Sequence, residues 1–366
     1  MNKAIQGINL EELEVLARGL LPQMAYDYYA GGANDEITLH ENRVAYERMS
    51  LLPRVLVDVS ERQMGRTALG EPVSMPIFIA PTAFQGLAHS EGEVATVKAA
   101  GTAKTLMTLS TLSTSSIEDV MAVASGPVWF QLYVFKDRAI SASLVQRAEA
   151  AGCKAIVCTV DVPLPGRRER DLRNQFKWPD DLSTRNLLSA RFPGFSASTP
   201  GCTLASSIAS LFDSAMTWKD IEWLAGTTKL PVLVKGILRS DDALLAVKHG
   251  AAGVIVSNHG ARQLDTTPAT ISVLSEIADT VAGQVEVYVD GGIRRGTDVL
   301  KGIACGAKAV FIGRPVLWGL ACGGEDGVRY VLELVRQEFD LAMALSGCPT
   351  LGSITRDRIR QPSSVA

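Results

Sequence analysis

Eight short apolar runs recur along the sequence, and helical patterns separate them. None of the runs alternates cleanly between apolar and polar residues, so each predicts a β-strand buried on both faces, as in parallel sheets. The runs are Pro76–Ala80, Leu106–Ser110, Val128–Tyr133, Lys154–Asp161, Pro231–Lys235, Gly253–Ser257, Val285–Asp290 and Ala309–Gly313.

The alternation of these runs with helices predicts an α/β fold. Eight buried strands with intervening helices are the number expected of a closed (β/α)8 TIM barrel. An open, doubly wound sheet has the same local pattern and is the alternative, although no GxGxxG follows the first run, which disfavours a nucleotide-binding sheet. The helical patterns are Glu91–Ala103, Ile140–Ala151, Asp241–His249, Ala269–Ala278, Thr297–Ala304 and Ile221–Ala225, the last opened by a capping box at Thr217–Asp220.

The segments outside the alternating pattern predict a cap and a lid. We expect a single domain over residues 1–366, in which residues 1–70 form an N-terminal helical cap on the barrel. Residues 162–216 form a long loop after the fourth strand, and long loops over strand ends are commonly lids. The apolar stretch Leu204–Met216 in this loop is short and interrupted by serine, which disfavours contact with a membrane. The expected cap helices are Leu10–Leu20, Pro22–Tyr29 and Asp35–Arg48.

Composition excludes two classes of protein. Hydrophobic residues make up 47% of the chain and charged residues 20%, so the chain is not disordered and can bury a large core. Because only 6% of residues are aromatic, we expect that core to be aliphatic. The 36 Lys and Arg against 39 Asp and Glu give a net charge of −3, which offers no general positive field for a nucleic-acid partner.

The ends of the chain and its cysteines predict a cytoplasmic location. The N-terminal segment has no apolar core of secretory type, and the last residues do not match the Ser-Lys-Leu peroxisomal signal. No apolar run is long enough to span a bilayer, so no membrane partner is expected. The six cysteines form no CxxC pair and have no histidine at metal-ligand spacing, which predicts reduced thiols and no metal site.

Polar and ionisable residues follow nearly every predicted strand. Because the carboxyl ends of barrel strands form one face, and active sites of such barrels lie there, we expect these side chains to share a site. They are Ser110, Gln131, Tyr133, Thr159, Asp161, Arg168, Lys235, Ser257, His259, Arg262, Asp290, Gly292, Arg294, Gly313 and Arg314.

His259 is the candidate general base. It directly follows a buried strand, between Asn258 and Gly260, whereas the chain's other histidines lie in helical or loop contexts. A base needs a partner that orients its ring and stabilises its cation, and Asp161 at the end of the fourth strand is the candidate. The alternatives are a structural histidine and an aspartate that caps a helix.

Arg168 and Arg262 predict a small anionic substrate. A guanidinium binds a carboxylate through two parallel hydrogen bonds, and both arginines lie near the same rim of the barrel. Tyr28 and Tyr133 can donate further hydrogen bonds, although packing alone also explains Tyr28. Surface ion pairing is the alternative for the arginines.

The pairs Gly291–Gly292 and Gly313–Arg314 resemble a phosphate cradle. Glycines let backbone N–H groups approach phosphate oxygens, and TIM barrels bind phosphate after their last two strands. A substrate phosphate would indicate an isomerase or aldolase with Lys235 as Schiff-base nucleophile. A flavin phosphate would instead place the Lys235 charge beside a ring that gains electrons. The residues alone leave both readings open.

The segment Ser257–Asp265, SNHGARQLD, resembles the signature of the FMN-dependent L-2-hydroxy acid oxidase and dehydrogenase family. Members of this family are (β/α)8 barrels, so the resemblance implies that fold, FMN as cofactor, and a homo-oligomer, either a tetramer or an octamer. Further matching segments cover nearly the whole chain: Leu21–Glu36, Ala80–Ala83, Trp129–Tyr133, Thr159–Asp161, Leu233–Gly236, Asp290–Gly296, Gly313–Pro315 and Ala342–Cys348.

The resemblance also implies a role for each matching residue. His259 corresponds to the base and Asp161 to its partner, while Tyr133 corresponds to a tyrosine near the substrate hydroxyl. Arg168, Arg262 and Tyr28 correspond to the residues that hold the substrate carboxylate. Lys235 corresponds to the lysine at flavin N1. The residues that correspond to contacts of the flavin ring and ribityl chain are Thr82, Ala83, Ser110, Gln131, Thr159 and Ser257. Those that correspond to the ribityl and phosphate site are Asp290, Gly292, Arg294, Gly313 and Arg314.

The activity implied is oxidation of a small L-2-hydroxy acid, L-lactate, glycolate or a longer acid, to the 2-oxo acid, with O2 reduced to H2O2. The alternative within the family is a quinone-linked dehydrogenase. Plant glycolate oxidases carry Trp at the position of Leu112, so we expect a wider substrate pocket here. Pro165 replaces the usual leucine, and Phe212 is a further candidate for the pocket wall.

Overall fold

A computed structural model describes residues 7–174, 183–188 and 211–360 of the chain. Each predicted run is a strand of one parallel sheet, which closes as Ile312 of the last strand pairs with Ile79 of the first. The (β/α)8 barrel is therefore confirmed, and the open sheet is excluded. The strands are β1 (Ile77–Ile79), β2 (Met107–Leu109), β3 (Val128–Leu132), β4 (Ala155–Thr159), β5 (Val232–Ile237), β6 (Gly253–Val256), β7 (Glu286–Asp290) and β8 (Val310–Ile312).

Helices lie between the strands, close to their predicted positions. The predicted capping box is present, since the Thr217 N–H donates to Asp220 Oδ2 at 2.7 Å. The long C-terminal helix, α13, is an addition to the predicted pattern and is interrupted at Gly323 and Gly324. The helices are α1 (Leu10–Leu20), α2 (Gln23–Ala30), α3 (Ile37–Glu47), α4 (Gly92–Thr102), α5 (Ile117–Val123), α6 (Arg138–Ala151), α7 (Glu169–Arg173), α8 (Arg185–Leu188), α9 (Trp218–Thr227), α10 (Ser240–Lys248), α11 (Thr270–Val281), α12 (Gly296–Ala304) and α13 (Arg314–Leu345).

The interior of the barrel is aromatic, which corrects the expectation of an aliphatic core. Phe78, Trp129, Tyr288 and Phe311 are buried together, with ring centroids 5.4 to 6.2 Å apart. Few aromatic residues suffice because a barrel interior holds only a few side chains per layer. The larger core cluster, which includes the layer between the strands and the helices, consists mostly of aliphatic residues, as predicted.

A short antiparallel hairpin closes the amino-terminal end of the barrel. Its strands, Arg66–Ala68 and Glu71–Val73, bury Ala68 and Val73 against the aromatic interior. The Leu69 N–H donates to Glu286 at the start of β7, at 2.9 Å. The hairpin therefore covers the aromatic interior at this end of the barrel. A second antiparallel pair joins Ser50–Leu51 to Ile359–Arg360.

The N-terminal helices are fastened to the loop after β6. The Ala33 N–H donates to the Ala261 carbonyl at 2.8 Å, and the Thr38 N–H donates to the Asp265 carboxylate at 2.8 Å. These bonds bring the end of α2, with Tyr28, to the carboxyl end of the barrel. The exact limits of the cap, residues 1–70, remain a prediction.

The long loop after β4 is described only in part. Residues 175–182 and 189–210 lie outside the described ranges, so the predicted lid and most of Leu204–Met216 stay predictions. The last residues of the loop run beside the segment just after β3. There the Lys136 N–H donates to the Leu211 carbonyl and the Asp213 N–H to the Val134 carbonyl, each at 2.9 Å. Within the described ranges, no helix combines the length and apolar character needed to cross a membrane.

Candidate active site

One cavity at the carboxyl end of the barrel brings the predicted site residues together. All of them line it except Asp161 and Ser257, and each of these two is hydrogen-bonded to His259 at the cavity wall. Leu112, Val162, Pro165 and Phe212 add an apolar side. The residues that line the cavity are Tyr28, Leu112, Tyr133, Arg168, Arg262, His259, Thr82, Ala83, Ser110, Gln131, Thr159, Lys235, Asp290, Gly292, Arg294, Gly313 and Arg314.

His259 and Asp161 form a hydrogen-bonded pair. The distance from His259 Nδ1 to Asp161 Oδ1 is 2.8 Å. Burial alone raises the pKa of Asp161, but the His259 ring and the Lys235 charge together hold that pKa below its usual value. Because an ionised carboxylate only accepts hydrogen bonds, we assign the ring proton of neutral His259 to Nδ1. The Nε2 lone pair is then available to accept a proton.

The turn that carries His259 is held in a strained conformation by polar contacts. His259 has a φ of +57°, which is uncommon for a residue other than glycine. Its N–H donates to Ser257 Oγ at 3.0 Å. The amides of Asn258 and Asn42 bond each other twice, at 3.0 and 2.9 Å, and Asn258 Oδ1 accepts the Ala261 N–H. No motif or pattern in the sequence indicated Asn42, which lies on α3, far from this turn along the chain.

Two guanidinium groups face the same tyrosine ring. The guanidinium carbons of Arg262 and Arg168 lie 4.9 and 5.6 Å from the centroid of Tyr28. Arg262 also donates to the carbonyl of Gly31 at 3.0 Å. Burial, and then the charge of Arg168, lower the pKa of Arg262. An anion bound between the two arginines would relieve this mutual repulsion.

Asp171 is a further charged residue near the arginine pair that sequence reasoning missed. Its carboxylate lies 3.4 Å from Arg168 Nε, one turn along α7. Burial raises the pKa of Asp171, and the charges of Arg168 and Arg262 counteract that rise. The i,i+3 spacing of Arg168 and Asp171 is the only sequence signal that could have indicated this pair.

Tyr133 keeps its hydroxyl proton. Burial, followed by the negative charge of Asp161, raises the pKa of Tyr133 well above its usual range. Its ring stacks on Phe212 with a centroid distance of 4.4 Å and an interplanar angle of 21°. The hydroxyl is therefore a hydrogen-bond donor on a ring that is held in place from one side.

Polar side chains from adjacent strands form a belt across the barrel mouth. Gln131 on β3 accepts from Ser110 Oγ at 3.3 Å and donates to Thr159 Oγ1 at 3.0 Å. Lys235 on β5 donates to Ser257 Oγ at 2.9 Å and lies 3.1 Å from Asp290 Oδ2. Burial lowers the pKa of Lys235, but the charges of Asp290 and Asp161 outweigh burial and raise it, so the ammonium stays charged.

The corner after β7 and β8 fits a phosphorylated ligand. Arg314 is partly buried, and this burial together with the charges of Arg262 and Arg294 lowers its pKa to about 9. Burial also lowers the pKa of Arg294. Gly313 is the N-cap residue of α13 and has no side chain that could cap it. Pro315 has no N–H and the Val316 N–H donates to the Gly313 carbonyl at 3.0 Å, which leaves the Arg314 N–H at this helix start for an anion. Asp290 Oδ1 is buried with no hydrogen-bond partner in the described part of the chain, which suits a ligand hydroxyl group.

Gly292 shapes this corner. Its φ is +81°, and a Cβ there would lie 1.9 Å from the Asn42 carbonyl oxygen. Only glycine therefore allows α3 to approach the turn after β7. The residues described include no cluster of three or more His, Cys, Asp or Glu side chains placed to bind a metal ion.

Comparisons with known proteins agree with this arrangement. The sequence model of the family described as FMN-dependent dehydrogenase matches residues 17–361. Glycolate oxidase 1 of Oryza sativa subsp. indica is 53% identical over 96% of this chain and 95% of its own length. A peroxisomal (S)-2-hydroxyacid oxidase of Arabidopsis thaliana is 50% identical over 97% of both chains. A crystal structure of mandelate oxidase with (S)-4-hydroxymandelic acid superposes with a TM-score of 0.90 at 44% identity, covering 97% of this chain and 98% of that one.

Proposed function

We propose that this chain, which belongs to the family of FMN-dependent dehydrogenases, is an FMN-dependent oxidase of small (S)-2-hydroxy acids. The observation that carries the proposal is a cavity lined by His259, which Asp161 supports from behind, by two arginines on one tyrosine and by a corner suited to phosphate. Schiff-base chemistry at Lys235 is disfavoured, because that ammonium is held charged between Asp290 and Ser257 and a nucleophilic lysine must be neutral.

Arg168 and Arg262 bind the substrate carboxylate, and Tyr28 contacts both guanidinium groups from beside them. The carboxylate replaces the repulsion between the two cations with charge-assisted hydrogen bonds. Fixing this end of the substrate also fixes the direction in which its Cα–H bond points. The Tyr133 hydroxyl, which stays protonated, is a donor for the substrate hydroxyl.

His259 acts as the general base and accepts a proton from the substrate at Nε2. Asp161 keeps the ring in the tautomer with hydrogen on Nδ1 and stabilises the imidazolium that forms. The 2-hydroxy acid loses two hydrogens to become a 2-oxo acid, and bound FMN supplies the two-electron acceptor, which O2 reoxidises to yield H2O2.

The residues present fit FMN along its whole length. Four residues of the corner would hold the phosphate: Gly292, Arg294, Gly313, which is the N-cap of α13, and Arg314. Asp290 would hold a ribityl hydroxyl. The charge on Lys235 would favour a ring that carries extra electrons. The ring contacts would come from Thr82, Ala83, Ser110, Gln131, Thr159 and Ser257.

We propose glycolate, L-lactate and longer 2-hydroxy acids as substrates. Leu112 is buried in the apolar side of the cavity, where a tryptophan would occupy more of the volume. The relative from Oryza is named for glycolate, which is smaller than L-lactate, and the similar crystal structure is named for mandelate, which is larger. The two names span this range of substrate sizes.

Anaerobic reduction tests the proposal. The purified protein should be yellow, and glycolate or L-lactate should bleach it without oxygen. Air should then restore the colour faster than a quinone analogue if O2 is the acceptor. A protein that stays colourless with added FMN, or is bleached by no 2-hydroxy acid, would contradict the proposal, and reoxidation by the quinone analogue alone would indicate the dehydrogenase alternative.

We also propose that the enzyme is a homo-oligomer, a tetramer or an octamer. Val15, Leu16 and Leu20 on α1 are 72%, 41% and 63% exposed, and Leu16 and Leu20 are one turn apart, so this helix presents neighbouring apolar side chains that a second copy would cover. Light scattering after size exclusion measures the number of chains in the assembly.

The cytoplasmic location stays a prediction, since the Arabidopsis relative is peroxisomal by name. Imaging of the tagged chain distinguishes the two compartments.

A further inference from the structure

A second cavity of about 430 Å³ lies beside the substrate cavity, against β4 and β5. Nothing in the proposed reaction uses it. Asp213, which pairs with Arg138, and Asp242 also line it, but most of the lining side chains are apolar, which suits a hydrocarbon group better than an anion. The apolar lining includes Val134, Val160, Met216, Trp218, Ile221 and Ile237.

Four side chains line both cavities and so form the wall between them: Tyr133, Thr159, Val162 and Phe212. Tyr133 and Thr159 already have polar tasks in the site, and Val162 is small. Phe212 is the large apolar member of the wall, and it is only 6% exposed.

Phe212 is held firmly, although it does not belong to the barrel. Its ring stacks on Tyr133 at 4.4 Å and meets the edge of Phe135 at 5.4 Å. The backbone bonds on either side of it, from Lys136 and Asp213, fasten this segment to the chain just after β3. Removing the ring therefore opens the wall without changing a strand of the barrel.

We propose that Phe212 is the residue that limits the length of the substrate side chain, and that the second cavity is a latent pocket for the alkyl or aryl end of a longer 2-hydroxy acid. The inference rests on the proposed function. Removing the ring joins the two cavities, and each methylene group that then leaves water should favour binding about fourfold.

The test compares substrates of increasing length in the FMN-loaded enzyme. The variants are Phe212→Ala and Phe212→Leu, and the substrates are L-lactate, L-2-hydroxyhexanoate, L-2-hydroxyoctanoate and L-mandelate. We expect Phe212→Ala to raise the ratio of kcat/KM for 2-hydroxyoctanoate to that for lactate by at least about tenfold, with a smaller rise for Phe212→Leu. The ratio cancels any general loss of activity from a looser Tyr133. Binding of 2-oxooctanoate, followed by the flavin spectrum, should tighten in parallel.

Two further variants separate an opened pocket from loosened packing. Phe135→Leu weakens the support of Phe212 but lines neither cavity, so it should leave the chain-length ratio unchanged. Met216→Trp fills the second cavity from its far wall, so it should cancel the gain when combined with Phe212→Ala. An unchanged ratio in a Phe212 variant that retains FMN and oxidises lactate would overturn this inference alone, and Phe212→Leu decides if the alanine variant does not fold. Failure of the wild type to oxidise any 2-hydroxy acid would instead overturn the proposed function.

Discussion

At the scale of single residues, the site depends not only on the predicted motifs but also on side chains that lie far from those motifs in the sequence. The motif around His259 indicated the base, and the end of the fourth strand indicated Asp161, because strand ends meet at one face of a barrel. Asn42, which bonds the amide of Asn258, was beyond sequence reasoning. A single asparagine on a polar helix carries no local pattern, and its contact depends on how α3 packs.

Replacing His259 with alanine tests the assignment of the base. We expect His259→Ala to bind FMN normally, because the contacts proposed for the phosphate and ring come from other residues. Its rate of flavin reduction by L-lactate should fall about 10²–10⁴-fold or more, the usual contribution of a general base. Stopped-flow absorbance without oxygen measures this rate, and Asp161→Asn should also slow it because the ring loses its charged partner. Near-normal reduction in His259→Ala would mean that another group removes the proton.

Gly236 on β5 makes room for Asp161. Its φ is +117°, and a Cβ there would lie 2.6 Å from the Asp161 Cβ. We expect Gly236→Ala to displace Asp161 and lower kcat, with a loss of folding free energy of more than about 1 kcal/mol from backbone strain. Gly226, in α9, has nothing within 4 Å of its would-be Cβ, so Gly226→Ala is the matched control and should stabilise by about 0.5–1 kcal/mol. Urea unfolding and steady-state kinetics measure both effects, and equal behaviour of the two variants would contradict the argument.

At the scale of elements, hydrophobic runs predicted all eight strands, because strands buried on both faces give unbroken apolar segments. The hairpin over Arg66–Ala68 and Glu71–Val73 escaped this reasoning, since each of its strands is only three residues long and partly exposed. The phosphate corner was predicted from the pairs Gly291–Gly292 and Gly313–Arg314. A helix N-terminus was expected to follow these pairs, but no helical range was predicted after the last strand, where α13 begins at Arg314.

Arg314 at the start of α13 should decide how tightly FMN binds. It lines the cavity, and the buried charges around it make an anion favourable there. We expect Arg314→Met to weaken FMN binding by about 10- to 150-fold, the loss of one or more charge-assisted hydrogen bonds. Fluorescence titration of the FMN-free protein with FMN measures the dissociation constant.

Arg295 offers a matched control for Arg314. It lies next to Arg294 in the sequence, pairs with Glu338 at 2.9 Å and does not line the cavity. Arg295→Met removes the same charge from a nearby site, so its dissociation constant for FMN should change less than about twofold. A comparable loss in both variants would show that net charge, rather than a contact of Arg314, sets the affinity.

At the scale of the whole molecule, the count of strands was enough to predict closure, but it did not predict what fills the barrel. The aromatic cluster of Phe78, Trp129, Tyr288 and Phe311 comes from strands that lie far apart in the sequence. In the sequence, each of these residues is one apolar residue among others in its strand. The contacts between the four rings depend on the strand register of the closed barrel, which the sequence of a single strand does not reveal.

Because this cluster contacts strands on several sides of the barrel, Phe78 should contribute to the stability of the entire fold. Its ring lies 5.4 to 6.2 Å from the other three rings and is fully buried. We expect Phe78→Ala to reduce the free energy of unfolding by about 3–5 kcal/mol, since rigid strands cannot collapse into the space left behind. Leu345→Ala at the exposed end of α13 should change it by less than about 0.5 kcal/mol. Urea unfolding at a fixed, saturating FMN concentration measures both, and flavin absorbance and far-UV circular dichroism should report the same midpoint. If the midpoints from flavin absorbance and circular dichroism instead differed in Phe78→Ala, the two ends of the barrel would unfold independently. The interior rings would then not contribute to the stability of the entire fold.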